Sequence, residues 1–157
     1  MTMTTVLCTG TFDMLHAGHL YYFEQAKALG TMLIVVVARD KTVEAERKHK
    51  PIMNENDRLK LVQNLKIIDR AILGSETDKL QTIEEIKPDI ICLGYDQKVD
   101  EKNLQNELKK RNLAIKIIRA QPYKPETYKS SKLKESSPFE VLKKKWDNEA
   151  DERWNTI

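Results

Sequence analysis

Short, unbroken apolar runs alternate with longer stretches of helical spacing along this 157-residue chain. That rhythm narrows the fold more than any other feature. The run LIVVV at residues 33–37 has no polar residue in it. A strand with one face in water alternates apolar and polar residues, whereas a strand covered on both faces does not. Strands are therefore expected at about residues 4–9, 33–38, 70–73, 90–93 and 114–118. Helices are expected between them, at about 18–29, from Asn54 onward, at 79–86 and at 101–111. Gly30 stands where a glycine closes a helix. Asn54 is a good N-cap, with Asp57 in the dipole-favoured first turn. Strands separated by helices give a parallel sheet with helices on its faces. The expected fold is α/β, a doubly wound five-stranded parallel sheet, and ligands on such sheets bind beyond the carboxyl ends of the strands.

Length and composition set further bounds. A chain of this size makes one domain, placed at residues 1–134, with 135–157 as a C-terminal helical extension. Apolar residues are 40% and charged residues 32%, and the net charge is +3. That charge is too small to argue for nucleic acid. No stretch approaches the roughly 18 apolar residues of a membrane helix. Met1-Thr2-Met3-Thr4 lacks the basic and apolar regions of a signal peptide. Cys8 and Cys92 each lie in an apolar strand-like run and read as buried thiols of a reducing compartment, so a cytoplasmic location is expected.

The chemistry concentrates in residues 10–19, GTFDMLHAGH, which join the first strand to the first helix. Gly10 and Gly18 let the backbone approach a ligand closely. Three-residue spacing at a helix start points His16 and His19 the same way. A helix N-terminus offers N–H groups and a positive dipole end to phosphate. The picture is a phosphate site with two imidazole donors and no nucleophile. A histidine pair alone can also be chance, a surface pair or half a zinc site. Closed zinc sites take four ligands and catalytic ones three, and His49 with two distant cysteines is all that remains.

The decade resembles the signature of the nucleotidyltransferase superfamily marked by a T/H-x-G-H motif. The chain is similar to its small cytidylyltransferase-like branch, which holds glycerol-3-phosphate cytidylyltransferases and the archaeal FAD synthases. Further matches over about residues 4–134 are Val37-Ala38-Arg39-Asp40, Lys50-Pro51-Ile52, Asn56-Asp57-Arg58, Ile72-Leu73-Gly74-Ser75, Lys87-Pro88-Asp89-Ile90-Ile91, Leu93-Gly94-Tyr95-Asp96-Gln97 and Tyr128-Lys129-Ser130-Ser131-Lys132. The resemblance implies a Rossmann-like sheet and transfer of a nucleotidyl group from a nucleoside triphosphate to an acceptor phosphate. It also implies that His16, His19 and Lys50 are catalytic, and that the chain is a homodimer. The implied nucleotide contacts are Gly10, Thr11, Phe12, His16, Ala17, Gly18, His19, Lys48, Asp96, Tyr123, Tyr128, Ser130 and Ser131.

Several of these residues carry a plainer reading beside the functional one. Lys48 and Lys50 fall in a polar loop expected at residues 44–51, which resembles the family's basic loop or is simply solvated. Arg58 is a helix residue near the site or a salt-bridge partner. Asp13 can orient the motif loop and bond a histidine ring nitrogen. Ser130 and Ser131 can cap a helix and meet phosphate; the arginine-threonine pair and glycine that precede them in cytidylyltransferases are missing here. Tyr123 and Tyr128 can stack on a base or a flavin, or serve core or surface. From residue 137, Ser-Pro-Phe-Glu opens a capping box. Phe139, Leu142, Trp146, Ala150 and Trp154 then form one stripe on a charged helix. Such a helix packs on its own domain, across a dimer, or on a membrane surface or partner. Asp147, Glu149, Asp151 and Glu152 weaken the membrane option.

Substrate choice rests on Gly94-Tyr95-Asp96-Gln97. Cytidylyltransferases usually carry Gly-Asp-Asp-Trp there, and Gly-Tyr-Asp-Gln looks more like the archaeal FAD synthases. The resemblance thus implies AMP transfer from ATP to FMN, giving FAD and pyrophosphate. Residues are too few for a riboflavin kinase module, so FMN has to be supplied. Magnesium or another divalent cation is expected on phosphate oxygens, without a carboxylate cage of the protein's own. The alternatives are a cytidylyltransferase acting on glycerol 3-phosphate or a similar alcohol phosphate, and a nucleotide-binding regulator without catalysis. Partners are small molecules. A nucleic-acid site would need a basic stripe with aromatics, and Lys143-Lys144-Lys145 is followed by acids.

Overall fold

The computed structural model describes residues 3–122. Five strands form one parallel sheet: β1 (Thr5–Gly10), β2 (Met32–Val37), β3 (Arg70–Leu73), β4 (Ile90–Leu93) and β5 (Lys116–Arg119), in the order β3-β2-β1-β4-β5. Five helices join them: α1 (Ala17–Ala28), α2 (Asp40–Arg47), α3 (Glu55–Gln63), α4 (Lys79–Ile86) and α5 (Glu101–Lys110). The winding reverses between β1 and β4, and the crevice at that switch point is where such sheets hold ligands. β1 is central, with Val6 lying between Leu33 of β2 and Ile90 of β4.

Side-chain alternation explains why β1 and β2 are apolar throughout. Val6, Cys8, Leu33, Val35 and Val37 enter one core with Tyr22, Phe23 and Ala26 of α1 and Val62 of α3. Leu7, Ile34 and Val36 enter the other with Ile83 of α4 and Leu108 of α5. Each large aliphatic or aromatic side chain buried this way contributes about 1.5–3 kcal/mol, so a polar residue in β1 or β2 would cost one of the two cores. Both cysteines are buried thiols, facing each other across the β1–β4 pairing.

Three expectations are corrected. The segment after β2 is not a loop from residue 44, because α2 occupies Asp40–Arg47. Val43 is its one buried residue, so it leaves no apolar stripe in the sequence. Gly30 is not a left-handed cap, since no described glycine has positive φ. Its role is close approach: a Cβ there would lie 2.6 Å from the Thr4 carbonyl oxygen. β5 begins at Lys116 rather than near residue 114, because its register with β4 starts at the Ile90–Lys116 pair. Among the described residues, no helix is long and apolar enough to cross a membrane. The extension expected at 135–157 lies outside the described residues, as does the boundary that separates it.

Candidate functional site

The motif decade leaves β1 at the carboxyl edge of the sheet, beside the switch point. Phe12 takes a left-handed φ of 54°, which costs a non-glycine residue about 1–2 kcal/mol. The conformation folds its ring back over Gly10, where a Cβ would stand 2.7 Å from Phe12 Cζ. Gly10 is thus required by close approach. The buried Phe12 ring also packs against Phe23 at 5.2 Å and edge-on against His19 at 5.5 Å.

The turn is held from behind by two buried charged residues. Asp13 accepts the backbone N–H groups of Ile52 and Met53, each at 2.8 Å. It therefore ties the motif loop to the segment that carries Lys50, the orienting role expected of it. Arg58 is fully buried. It donates to the carbonyls of Thr11 at 2.7 Å, Ala38 at 2.8 Å and Met53 at 3.0 Å, and to the Asp40 carboxylate at 2.6 Å. One guanidinium satisfies three main-chain acceptors from three separate segments. The salt-bridge reading of Arg58 holds, and its carbonyl contacts also tie the motif loop to the ends of β2 and of the α2–α3 connection.

The histidines cap their own helix. His16 is the N-cap of α1, and its Nδ1 accepts the Gly18 N–H at 3.0 Å. His19 reaches back, its Nδ1 accepting the His16 N–H at 3.3 Å. The arrangement is a capping box with imidazoles in place of the usual hydroxyl and carboxylate. A ring nitrogen that accepts carries no proton, so each neutral ring keeps its N–H on Nε2. The rings lie 4.0 Å apart and 32° from parallel, as the three-residue spacing implies. Partial burial lowers the His16 pKa below its ordinary value, against an opposing pull from the Asp96 carboxylate. The shift favours the neutral form of His16, at the positive end of a helix. The Gly18 amide is already taken by His16.

The remaining candidates divide by element. Ala17 and Gly18 form the first turn of α1. Asp96 is exposed in the turn after β4, and its charge reaches His16. Lys48 and Lys50 are both exposed in the short connection from α2 to α3, Lys48 in a left-handed conformation as the α2 C-cap. Tyr123, Tyr128, Ser130 and Ser131 lie outside the described residues. Among the described residues, no group of three or more His, Cys, Asp or Glu side chains could hold a metal ion.

Sequence reasoning missed the residues that fasten the edge. Arg39 donates to the Gly74 carbonyl at 2.8 Å and to Glu55 at 2.9 Å. Asp40 and Glu55 each accept the other's backbone N–H, at 3.2 and 3.0 Å, which locks α2 to α3. Gln97 accepts the Gly94 N–H at 2.6 Å and donates to Thr9 at 3.3 Å. The available signal was an Arg-Asp pair placed directly after a strand. Nothing in the sequence marked Gln97 as a brace.

The two imidazoles thus stand at the N-terminus of α1, and both thiols lie buried in the core. The profile of the cytidylyltransferase-like family matches residues 7–136. A protein of Aciduliprofundum boonei named FAD synthase is 51% identical over 121 residues, covering 77% of this chain and 80% of that one. Another named FAD synthase, from Thermoplasma volcanium, is 48% identical over 132 residues, covering 84% and 92%. A crystal structure described as a lipopolysaccharide core biosynthesis protein from Thermoplasma volcanium superposes with a TM-score of 0.74 at 49% identity, covering 78% of this chain and 99% of that one.

Proposed function

This chain belongs to the cytidylyltransferase-like family, and from that premise we propose that it is an FMN adenylyltransferase, an enzyme that moves AMP from ATP to FMN and yields FAD and pyrophosphate. The observation that carries the reading is the likeness to relatives named FAD synthase, about half identical over most of both chains. Gly94-Tyr95-Asp96-Gln97 in place of Gly-Asp-Asp-Trp points the same way.

A phosphate oxygen of FMN attacks the α-phosphorus of ATP. The new P–O bond forms as the bond to the departing pyrophosphate breaks, in line. No covalent enzyme intermediate is needed, so positioning and charge stabilisation do the work. His16 and His19 donate through Nε2 to phosphate oxygens on which charge builds. Lys50, with Lys48 beside it, supplies positive charge from the connection behind the motif. Gly10, Thr11, Phe12, Ala17 and Gly18 form the wall along which the triphosphate lies. Asp96 meets the nucleotide at the end of β4. A divalent cation such as magnesium comes in with the triphosphate and neutralises part of its charge. The enzyme works in the cytoplasm as a homodimer.

The test is a matrix of the four nucleoside triphosphates against FMN, glycerol 3-phosphate and other small phosphates, reading pyrophosphate and FAD. ATP with FMN should give both products. A preference for CTP with glycerol 3-phosphate and no FAD would replace the activity with a cytidylyltransferase. No pyrophosphate in any combination would leave a nucleotide-binding regulator.

A further inference from the structure

A cleft of about 260 Å³ opens to solvent between α2 and the loop that leads from β3 into α4. Thr42 and Ala45 belong to one wall, Ser75 and Thr77 to the other, and Lys41 and Lys79 complete the lining used here. Both walls leave the sheet at its carboxyl edge, after β2 and after β3. The motif decade leaves β1 at that same edge. The walls are fastened to each other. Arg39, the N-cap of α2, donates to the Gly74 carbonyl at 2.8 Å, and Glu46 of α2 pairs with Lys79 of α4. The helix α2 buries Val43 alone, yet Asp40 locks its amino end to Arg58 and to the Glu55 N–H. Core burial does not account for so much anchoring; a fixed wall does.

Size and charge limit what the cleft can take. Small-molecule pockets start at about 300 Å³, so this volume suits one part of a ligand rather than a whole nucleotide. Its two lysines stand against Glu46, Glu76 and Asp78, so no net positive charge draws in a phosphate. The short side chains of Thr42, Ala45, Ser75 and Thr77 leave room between the walls. That lining suits a flat, uncharged ring system with polar groups at its rim. Lys41 has no carboxylate partner among the described residues, and its ammonium can meet a ring carbonyl. The distance also fits. β3 lies two strands from β1, about 10 Å at the usual spacing. The ribityl chain that joins the phosphate of FMN to its isoalloxazine ring spans a gap of that order. With the nucleotide taken to the end of β4, the β2–β3 side is left for the acceptor.

We propose that the cleft between α2 and the β3–α4 loop binds the isoalloxazine ring of FMN, the ribityl chain running along the sheet edge to bring the phosphate to the motif histidines. The inference rests on the FMN adenylyltransferase reading for the identity of the acceptor. It gives α2 a task in the reaction, as a wall of the acceptor site. The two substrates then approach the motif from opposite sides of β1, and neither the nucleotide nor pyrophosphate has to enter the cleft.

Ala45 is exposed on α2, so Ala45→Trp fills the cleft without entering either core, and Ala45→Ser leaves it open. Titration calorimetry with FMN, riboflavin and inorganic tripolyphosphate compares both variants with the natural full-length protein, and FAD formation gives the kinetic constants. The tryptophan variant should bind FMN and riboflavin at least about tenfold more weakly, with KM for FMN raised by the same factor, because the indole takes the place of the ring. Its tripolyphosphate binding and its kcat at saturating FMN should match those of the natural protein, and the serine variant should match in every measurement. FMN affinity of the tryptophan variant within about threefold of the natural value would overturn the proposal. A second readout needs no variant. In amide NMR spectra of the natural protein, riboflavin should shift the signals of residues 41–46 and 75–79; signals that stay in place would overturn the proposal as well. A natural protein that binds no FMN and forms no FAD would sink the activity and the ring site together, whereas FMN binding that survives the tryptophan sinks the ring site alone.

Discussion

His16 divides two tasks between its two ring nitrogens. Nδ1 accepts from Gly18 and caps α1, while Nε2–H is the group assigned to substrate phosphate in the proposed reaction. Protonation at Nδ1 would turn its N–H against the Gly18 N–H, so acid removes the cap as well as the neutral donor. The sign follows from the lowered pKa. The unfolded chain binds the proton more readily, so stability linked to His16 is complete above the unfolded value, about 6.5, and is lost as pH falls through the lower folded value. His16→Asn separates the tasks, because asparagine also accepts at an N-cap. Urea unfolding at several pH values should show the natural protein losing stability below pH about 6.5 relative to the variant. Turnover of His16→Asn, and of His19→Ala, should fall by about two orders of magnitude, as when one preorganised donor is removed. A folded variant that keeps its turnover would strip that histidine of its catalytic role. Both histidines were legible in the sequence because their spacing, neighbours and place after a strand all agree. Arg58 was only half legible. Its charge was visible, but its complete burial depends on Thr11, Ala38 and Met53, which come together only in the fold.

At the scale of elements, the strands and the long helices could be read because each buries a face and leaves a period. The helix α2 could not: a single buried valine gives no period, and residues 44–51 looked like loop. β5 was placed early because Ile115 is buried before the ladder begins. Gly30 was recognised as a helix terminator for the wrong reason, and its true reason makes a prediction. An alanine there would drive Cβ to 2.6 Å from Thr4 O and 2.8 Å from Val6 Cγ2. The Thr4 carbonyl is fixed, since it accepts the N–H groups of both Thr31 and Met32. Gly30→Ala should therefore cost about 1–3 kcal/mol, the usual range for overpacking, read as a lower urea midpoint. The substitution lies at the amino end of the sheet, opposite the site, so kcat of the folded variant should not change. A midpoint equal to that of the natural protein would show that the α1–β2 turn has room to relax.

For the whole molecule, the expectation is assembly. The family resemblance implies a homodimer, and light scattering at micromolar concentration should give twice the chain mass. A monomer would remove that claim. Deleting residues 136–157 should leave triphosphate binding in place, measured by calorimetry, because the candidate nucleotide contacts all precede residue 132. Loss of binding would assign the tail to the site. The strand order carries one further consequence. β1 is made before the other described strands, and it is enclosed only when Ile90 arrives beside Val6. A ribosome adding about 5–20 residues per second takes on the order of ten seconds to span that interval. During that time the motif decade has been translated but has no finished sheet edge to stand on. A nascent chain stalled before β4 carries the motif histidines and Lys50 without forming the site they serve.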